Sequence, residues 1–351
     1  MTFEKPRSIL QKALADHCFP AAVAEVGNVS TVLWREALGR QTYDSNSMAI
    51  QEETIFDLAS LTKILATTPL LMTYIERESI SLDRDLGSLF NDWKHSGSKP
   101  ATVRDLLSHS SGLKDYLPLF QKHKGRKDFE AAICKHPLSY QPSTKSVYSD
   151  LGFILLAFLL EDLGEKSFTT QFNEIRNQLE IKGPLGFNPP QSWIKLTAPT
   201  EIDSWRGRLL KGEVHDENAW ALGGAAGHSG LFGTASTVGI FARHFLKILE
   251  GSGGLFSDST IRLFTGCRNE VPSSSRGLGW DTMLPTSSCG HLLSKSAFGH
   301  TGFTGTSLWI DPERSLYIVL LTNRVHPTRS NNAITKIRPA FHNSVIETIS
   351  G

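Results

Sequence analysis

The sequence predicts an α+β fold: an antiparallel sheet built from both ends of the chain, flanked by helices, with a mostly helical region inserted between them. Three observations predict it. Strand-like runs occur near the N-terminus, at 21–26 and 31–38, and again near the C-terminus, at 306–310 and 316–321. The long stretch between them has mainly helical periodicity. Because strands need partners and this stretch offers few, we expect the two groups to pair with each other.

The N-terminal part begins with an amphipathic helix over 3–18, where apolar residues recur at helical spacing until Phe19-Pro20 interrupts them. The two strands after it are joined through Gly27-Asn28, a dipeptide typical of hairpin turns. Residues 40–53 are polar and predict a loop. This end therefore supplies one helix and one hairpin.

The middle and the C-terminal end are read in the same way. Strong helical patterns cover 149–162, 167–180 and 236–250. A capping arrangement from Thr102 to Asp105 predicts the start of a shorter helix. A turn at 311–315 connects the last two strands, and a final helix over about 330–349 closes the chain. The predicted regions are 1–68 (α/β), 69–254 (mostly helical) and 255–351 (α/β).

Composition excludes several classes of function. The chain has 351 residues, and 36 Lys and Arg against 35 Asp and Glu give a net charge of +1 without a long block of one sign. Neither nucleic acid nor an anionic membrane is therefore expected as a partner. The longest apolar run, 151–160, is about half the length of a membrane span, so we expect no such span.

The first ten residues lack the basic, apolar and small-residue order of a secretory signal. The four cysteines, Cys18, Cys134, Cys267 and Cys289, lie far apart without metal-ligand spacing and mostly in apolar surroundings, which suits reduced thiols. We therefore expect a cytoplasmic protein, or a periplasmic one if a leader peptide has been removed.

The chemistry is expected at Ser60 and Lys63. They lie three residues apart on one face of a helix, so the lysine side chain can reach the serine hydroxyl. A lysine that is desolvated and near another cation can be neutral enough to take the serine proton. The alternative is that Ser60 only caps the helix. In either case Pro69 should kink or restart this helix.

Context selects this serine among four. The pattern Ser-x-x-Lys also starts at Ser96, Ser111 and Ser192. The first two of these lie in Gly-containing polar stretches that predict loops, and the third follows Pro189-Pro190. Only Ser60 follows a short β-like run, 54–58, and begins a helical pattern.

Two further strings follow in order, Tyr148-Ser149-Asp150 and His300-Thr301-Gly302. With Ser60-Leu-Thr-Lys63 before them, they resemble the motifs of the serine β-lactamase and DD-peptidase superfamily, specifically its class C-like branch of β-lactamases, D-amino-acid peptidases and esterases. Longer strings at 106–113, 148–153, 227–232 and 300–305 agree with that branch. The resemblance extends from about residue 20 to 345 and implies a β-lactamase/transpeptidase-like fold.

The resemblance also implies roles. Ser60 would be the acyl-accepting nucleophile, Lys63 its proton partner, and Tyr148 a second general acid or base whose pKa a nearby cation lowers. The backbone N–H groups of Ser60 and Phe303 would form the oxyanion hole, and Gly302 would let the substrate approach the backbone. Without the other two motifs, a buried core tyrosine at the head of an apolar helix would be the favoured interpretation of Tyr148.

Substrate binding is implied for Asp150, His300, Thr301 and Gly302, and two of these depart from the β-lactamase form. His300 replaces a lysine, so the cation near Tyr148 is only partly present at neutral pH. Asp150 replaces an asparagine and offers an acceptor instead of a donor. We therefore predict poor or absent β-lactamase activity.

Other candidates are weaker. The string His215-Asp216-Glu217 raises the question of a metal, but it predicts a loop, and no His-Glu-x-x-His or Gly-x-Ser-x-Gly motif occurs. His109 and His228 are expected to fix loops by hydrogen bonds. Arg324 and Arg329 could hold a substrate carboxylate, although a solvated basic loop is the favoured reading.

The sequence therefore predicts a serine hydrolase that acts through an acyl-enzyme on an ester or amide, without a metal or organic cofactor. The expected substrates are D-amino-acid-containing, peptidoglycan-derived peptides or small carboxylic esters. The alternatives are a β-lactamase or penicillin-binding carboxypeptidase and, from another class, a non-catalytic relative that binds peptidoglycan fragments or a partner protein.

Overall fold

The structure is a computed structural model that describes residues 2–95, 100–266, 271, 274–284 and 286–351. Its strands are β1 (Ala21–Asn28), β2 (Val32–Gly39), β3 (Phe56–Asp57), β4 (Leu185–Phe187), β5 (Ile202–Asp203), β6 (Arg208–Leu209), β7 (Leu231–Gly233), β8 (Asp281–Thr282), β9 (Phe298–Thr301), β10 (Ser307–Asp311) and β11 (Leu316–Thr322).

Its helices are α1 (Glu4–Ala15), α2 (Thr68–Glu76), α3 (Val103–Leu107), α4 (Gly125–Lys135), α5 (Asp150–Gly164), α6 (Phe168–Gln178), α7 (Gln191–Ile194), α8 (Glu217–Ala221), α9 (Ala235–Leu249), α10 (Asp258–Thr265) and α11 (Ile334–Ser350). Single 3-10 turns occur at Leu86–Ser88, Leu119–Gln121 and Pro312–Arg314, and a π-helical segment covers Lys63–Thr67.

The central sheet joins the two ends of the chain, as predicted. Six strands lie in the order β2-β1-β11-β10-β9-β8, and every neighbouring pair is antiparallel. Val23 of β1 pairs with Leu321 of β11. The N-terminal hairpin is thus completed by strands that follow it by almost 300 residues, and the predicted α+β class is confirmed.

Both faces of the sheet are covered, which explains why β11 is apolar throughout. Alternate residues of a strand point to opposite faces. Ala22, Ala24 and Val26 pack toward α1 and α11, whereas Ala21 and Val23 belong to the larger core. α9 packs against β1 and β11 on that second face. Each fully buried Leu, Ile or Val side chain contributes about 2 kcal/mol of hydrophobic stabilisation.

The helical middle packs around α5, whose residues 151–160 are all buried. α3, α4 and α6 contact it, and the predicted capping box at Thr102 and Asp105 starts α3. A small sheet, ordered β3-β7-β4, ties this part to the segment that precedes Ser60. The predicted run 54–58 therefore forms a strand, but outside the central sheet.

The hairpin turn lies later than predicted. Gly27 remains inside β1, next to a register shift, and a Cβ there would lie 2.4 Å from the Tyr317 hydroxyl. The turn is made by Asn28, whose side-chain oxygen accepts the N–H groups of Ser30 and Thr31. The asparagine thus acts through its side chain, as turn-forming asparagines do.

The boundaries 1–68, 69–254 and 255–351 remain a prediction, although α9, inside the predicted helical region, is a layer on the sheet. None of the helices in the described part of the chain combines the length and apolar character that crossing a bilayer requires. Cys18, Cys134 and Cys289 are buried free thiols, and Cys267 lies outside the described residues.

Candidate active site

Ser60 lies on a sharp turn between β3 and the helix that follows. Ala59 before it has a φ of 47°, in the left-handed region, and donates its N–H to the buried Asp57 carboxylate at 2.8 Å. The same carboxylate accepts the N–H of His215 at 2.7 Å. Surrounding contacts of this kind are what maintain a strained backbone at a functional site, and here they present Ser60 to a cleft.

Lys63 is fully buried and uses all three N–H donors of its ammonium group. They go to Ser60 Oγ at 3.0 Å, to Asp150 Oδ1 at 2.7 Å and to the His228 carbonyl oxygen at 3.1 Å. The predicted contact between Lys63 and Ser60 is therefore present. Lys63 begins the π-helical segment, a local widening of the helix that is frequent at functional sites.

The charge of Lys63 differs from the sequence prediction. Burial alone would lower its pKa, but Asp150 and Tyr148 outweigh burial and raise the pKa above the ordinary 10.5. The expected neighbouring cation is thus replaced by a carboxylate. Lys63 is an ammonium group at neutral pH and cannot accept the Ser60 proton while it holds all three of its own.

Tyr148 immediately precedes the N-cap of α5 and packs against Lys63, whose Nζ lies 4.9 Å from the ring centroid. The prediction that the pKa of Tyr148 is lowered overall is wrong. Burial raises that pKa above 10.0, although Lys63 opposes the effect. Tyr148 is therefore a neutral phenol that lines the cleft, suited to donating a proton.

Asp150 lies at the first position of α5, where its carboxylate pairs with Lys63. The sequence interpretation gave it a substrate amide as partner, as an acceptor in place of an asparagine. In the structure its nearest partner is the catalytic-site lysine, although part of Asp150 still lines the cleft. Sequence could not show this pairing, because the two residues are 87 positions apart.

His300 is not the partial cation that the sequence predicts. Burial, together with the positive charges of Arg276 and Lys63, holds its pKa well below 6.5. Its Nδ1 lies 2.7 Å from the Thr301 carbonyl oxygen. A neutral imidazole therefore faces Tyr148, with ring centroids 5.8 Å apart.

A second cation beside Tyr148, in addition to Lys63, is Arg276, which sequence analysis missed. Its guanidinium carbon lies 5.2 Å from the Tyr148 ring centroid, and its ion pair with Asp281 is long, at 3.8 Å. It lines the cleft. Arg276 lies in an irregular stretch without a motif, so no sequence signal could have identified it.

The third motif ends β9 and begins the turn to β10. A Cβ on Gly302 would lie 2.0 Å from Thr306 Oγ1 and 2.6 Å from the Leu58 carbonyl oxygen, so only glycine fits. Thr304 and Thr306 donate their hydroxyls to the carbonyls of Asp57 and Leu58. The turn that carries Phe303 is thus fastened to the segment that carries Ser60.

The two predicted oxyanion donors are available. Among the hydrogen bonds of the described residues, neither the backbone N–H of Ser60 nor that of Phe303 has an acceptor, and both residues line the cleft. Two free N–H groups that line one cleft are what an oxyanion hole for a tetrahedral intermediate requires.

The cleft has a volume of about 480 Å³ and gathers every predicted side-chain site except the buried Lys63. Its walls include Ser60, Tyr148, Asp150, His300, Thr301, Gly302 and Phe303, and also Tyr116, His215, Asp216, Glu217, His228, Ser229, Arg276, Arg324, Arg329 and Arg338.

Of the other Ser-x-x-Lys serines, Ser111 is buried away from the cleft, Ser192 lies in α7, and Ser96 is outside the described residues.

The expected loop-fixing role of two histidines is confirmed. His109 Nδ1 accepts the Ser149 N–H at 3.0 Å and so holds the start of α5. Burial and the charge of Arg276 keep the pKa of His109 well below 6.5. His228 contacts Asp216 through Nε2 at 2.8 Å, while its carbonyl receives Lys63.

The favoured reading of Arg324 and Arg329 as a solvated basic loop is wrong for Arg324, whereas the Arg329 side chain is 39% exposed. Arg324 is 4% exposed and donates Nε to the Phe303 carbonyl at 2.7 Å. Arg329 forms ion pairs with Glu201 and Glu217. Both line the cleft.

In the part of the chain that the structure describes, Asp150, Asp216 and His228 form the group best placed for a metal, with ligand atoms within 4.8 Å of one another. The string His215-Asp216-Glu217 does not act together. His215 contacts Glu201, and Glu217 contacts Arg329. Because Lys63 already places an ammonium group on Asp150, the set is satisfied by a cation from the protein itself.

Comparisons with known proteins show relatives over most of the chain. The sequence profile of the Beta-lactamase family matches residues 7–340. A Salmonella agona protein provisionally named D-alanyl-D-alanine carboxypeptidase is 31% identical over 320 aligned residues, covering 79% of this chain and 71% of that protein.

Two solved structures have the same fold. The octameric penicillin-binding protein homologue from Pyrococcus abyssi aligns with a TM-score of 0.77 at 18% identity, over 99% of this chain and 78% of its own. EstCE1, described as a hydrolase with promiscuous acyltransferase activity, aligns with a TM-score of 0.76 at 18% identity, over 97% and 98% of the two chains.

Proposed function

This chain belongs to the Beta-lactamase family of serine hydrolases, and we propose that it is a carboxypeptidase that removes a terminal D-amino acid from peptidoglycan-type peptides. Ser60 is the nucleophile and forms the acyl-enzyme. Within the family we assign it to the class C-like branch, because a tyrosine motif at Tyr148 and the string His300-Thr301-Gly302 accompany Ser60 and Lys63.

Proton transfer begins at the pair of Lys63 and Asp150. As Ser60 Oγ attacks the scissile carbonyl, its proton passes to Lys63 Nζ while Lys63 passes a proton to Asp150 Oδ1, 2.7 Å away. The neutral phenol of Tyr148 then protonates the leaving nitrogen, and the pair returns a proton to Tyr148. In the net reaction, one proton moves from Ser60 to the leaving amine. Lys63, Asp150 and Tyr148 return to their resting protonation states.

The oxyanion is held by backbone. The N–H groups of Ser60 and Phe303 receive the negative oxygen of the tetrahedral intermediate, and each such donor typically contributes about 3 kcal/mol to transition-state stabilisation. Water then attacks the acyl-enzyme and releases the shortened peptide by the same groups in reverse order.

The observation that carries the substrate assignment is the guanidinium of Arg276 beside Tyr148. In a leaving amino acid, the nitrogen that Tyr148 protonates and the terminal carboxylate are bonded to the same Cα. A cation next to Tyr148 is therefore placed to receive that carboxylate, and a guanidinium binds a carboxylate bidentately. The relative in Salmonella agona carries a name of the same kind.

The experiment measures release of the terminal alanine from an acyl-D-alanyl-D-alanine peptide and from its isomer with a terminal L-alanine. We expect release from the first only, and a Ser60→Ala variant should release none. Arg276→Gln should raise KM for the peptide by about tenfold, as expected for the loss of one charged contact. Equal rates on both isomers would overturn the assignment.

Intact-protein mass after fluorophosphonate and after benzylpenicillin tests the nucleophile separately. Ser60→Ala should lose the fluorophosphonate adduct, whereas Ser192→Ala, which removes an exposed serine of the same Ser-x-x-Lys pattern, should keep it. A stable penicillin adduct would support a cell-wall peptide substrate. No adduct with either reagent would favour a non-catalytic binding protein.

A second candidate, an esterase for small carboxylic esters, is favoured by one observation. The cleft has exposed aromatic walls, with Phe303 51% and Tyr116 39% exposed, and such surfaces suit an apolar acyl group. Chromogenic acetyl and butyryl esters test it. Turnover of these esters without any release of D-alanine would make the esterase reading the correct one.

A further inference from the structure

Arg338, in the second turn of α11, donates hydrogen bonds to the backbone of the turn between β9 and β10, which carries Phe303. Its Nη2 donates to the Gly302 carbonyl at 2.6 Å and to the Thr306 carbonyl at 2.9 Å. The Gly302 carbonyl and the Phe303 N–H belong to the same peptide group. Whatever fixes that carbonyl therefore fixes the direction of the N–H on its other side.

The guanidinium of Arg338 is a buried cation without a compensating carboxylate among the described residues. Burial and the charge of Arg324 lower its pKa to about 9, and its Nε has no hydrogen-bond partner. An isolated buried charge is costly for stability. It would be favourable only where negative charge develops close by, and the cleft that Arg338 lines is such a place.

Arg324 holds the next carbonyl along the chain, that of Phe303, in the same way. Its Nε donates to the Phe303 carbonyl at 2.7 Å, and its guanidinium lies 4.3 Å from the Phe303 ring centroid. The peptide groups on both sides of Phe303 are thus held through their carbonyls by arginine side chains. A carbonyl that accepts a charge-assisted hydrogen bond makes the N–H of its own peptide group a stronger donor.

We propose that Arg338 is a positioning residue of the oxyanion hole: it holds the Gly302 carbonyl and thereby orients and polarises the Phe303 N–H toward the tetrahedral intermediate. This inference rests on the proposed function, because it takes Ser60 as the nucleophile. The observed contacts of Arg338 support positioning, since its Nη2 donates to two backbone carbonyls of the turn.

The test compares Arg338→Gln on a neutral p-nitrophenyl ester and on an acyl-D-alanyl-D-alanine peptide. The expected result is a fall in kcat of roughly ten- to a hundredfold, by the same factor on both substrates and with little change in KM, because the oxyanion donor is weakened but not removed. Arg314→Gln, which removes an arginine from the turn after β10, should keep full activity. An effect confined to KM of the peptide would show that Arg338 binds the substrate carboxylate instead.

Chemical rescue separates polarisation from a merely structural role. In Arg338→Ala, ethylguanidinium at millimolar concentration should restore part of kcat, because the space left by the side chain opens into the cleft. A variant that melts normally, loses activity and is not rescued would overturn the proposal. If neither variant folds, Arg338→Lys, which keeps the charge and one carbonyl contact, must retain more activity on the ester than a Lys63→Gln variant.

Failure of this inference is distinguishable from failure of the proposed function. The neutral ester reports on the oxyanion hole whether or not D-alanine is released from the peptide. Boronic acids add an independent readout, since they form a tetrahedral anion on the serine. Their affinity should weaken in Arg338→Gln by the same factor as kcat on the ester, and unchanged affinity would contradict the proposal.

Discussion

The two sides of the cleft handle buried positive charge in opposite ways. On the proton-transfer side, Lys63 is paired with Asp150 and all three of its donors are used. On the oxyanion side, Arg338 and Arg324 are buried with backbone carbonyls as their partners. Each side is tied to the other through the hydroxyls of Thr304 and Thr306.

The difference follows from what each side must do. A group that exchanges protons needs a partner that can take or return one, so a carboxylate next to Lys63 is useful. A group that stabilises a transient anion should carry positive charge that nothing in the resting state neutralises, since a permanent carboxylate would cancel its field. In the proposed mechanism, a cation paired with a carboxylate therefore serves proton transfer, and cations without a carboxylate serve stabilisation of the oxyanion.

The largest effect is expected from Lys63→Gln, which removes the centre of the proton-transfer side. Ser60 would lose its proton acceptor, and Asp150 would keep a partly buried charge without its partner. We expect kcat/KM on a p-nitrophenyl ester to fall roughly 10⁴-fold or more, in the range seen for members of a catalytic unit. Retention of a tenth of the wild-type rate, in a protein with a normal melting temperature, would contradict the assignment.

Tyr148→Phe should sharpen the comparison by separating leaving groups. The variant lacks the phenol that protonates the leaving nitrogen, so amide cleavage should fall by roughly 10²- to 10³-fold. A p-nitrophenolate leaves without protonation, so the ester should lose much less. Parallel measurement of both substrates decides the matter, and equal losses would show that Tyr148 acts on Ser60 and not on the leaving group.

Asp150→Asn should convert the paired cation into an unpaired one. Without the carboxylate, only Tyr148 still opposes the effect of burial, so the pKa of Lys63 should fall. We expect kcat to fall by roughly ten- to a hundredfold at neutral pH and then to rise with pH as neutral Lys63 becomes the base. A pH profile of the same shape as that of the wild type would show that Asp150 does not set the protonation of Lys63.

The smallest effect concerns stability on the oxyanion side. Burial, with the charge of Arg338 adding to it, lowers the pKa of His342 to about 3 from 6.5. Between these values the unfolded chain binds a proton that the folded chain does not, so the free energy of unfolding falls as the pH drops through that window. His342 then costs roughly 2–4 kcal/mol near pH 4 relative to pH 7.

His342→Gln should flatten this pH dependence. Urea unfolding at pH 7 and at pH 4.5 measures it, since the amide does not titrate and the difference between the two free energies should shrink. His17→Gln is a control, because that histidine side chain is exposed. An unchanged difference in the His342 variant would place the acid sensitivity elsewhere.

Much of the fold could be predicted because its signals are local. Helical periodicity predicted the helices at 151–160 and at α9, which has an apolar stripe. Runs of residues typical of β-strands predicted the strands at both ends of the chain. The predicted hairpin turn lies one or two residues before the observed one, because Gly27 was taken as a turn residue. In the structure Gly27 is inside β1, where Tyr317 leaves no room for a Cβ. Such a requirement comes from a residue that is distant in sequence.

The candidate site divides along the same line. The sequence by itself determined the side chains of the three ordered strings, Ser60 to Lys63, Tyr148 to Asp150 and His300 to Gly302, because the spacing of a motif is a property of the chain. Tertiary structure alone decided their charge states. The ammonium form of Lys63, the neutral phenol of Tyr148 and the neutral imidazole of His300 depend on burial and on partners brought from far away.

Arg276 and Arg338 show the limit most clearly. Neither lies in a motif, and an arginine in an irregular stretch or on a helix gives no sign of what it will face. Their roles arise when folding brings one beside Tyr148 and the other against the Gly302 carbonyl. Sequence determined which reactive groups the chain carries, whereas the packed structure decided their charges and directions, because electrostatic and hydrogen-bond energies depend on distance in space.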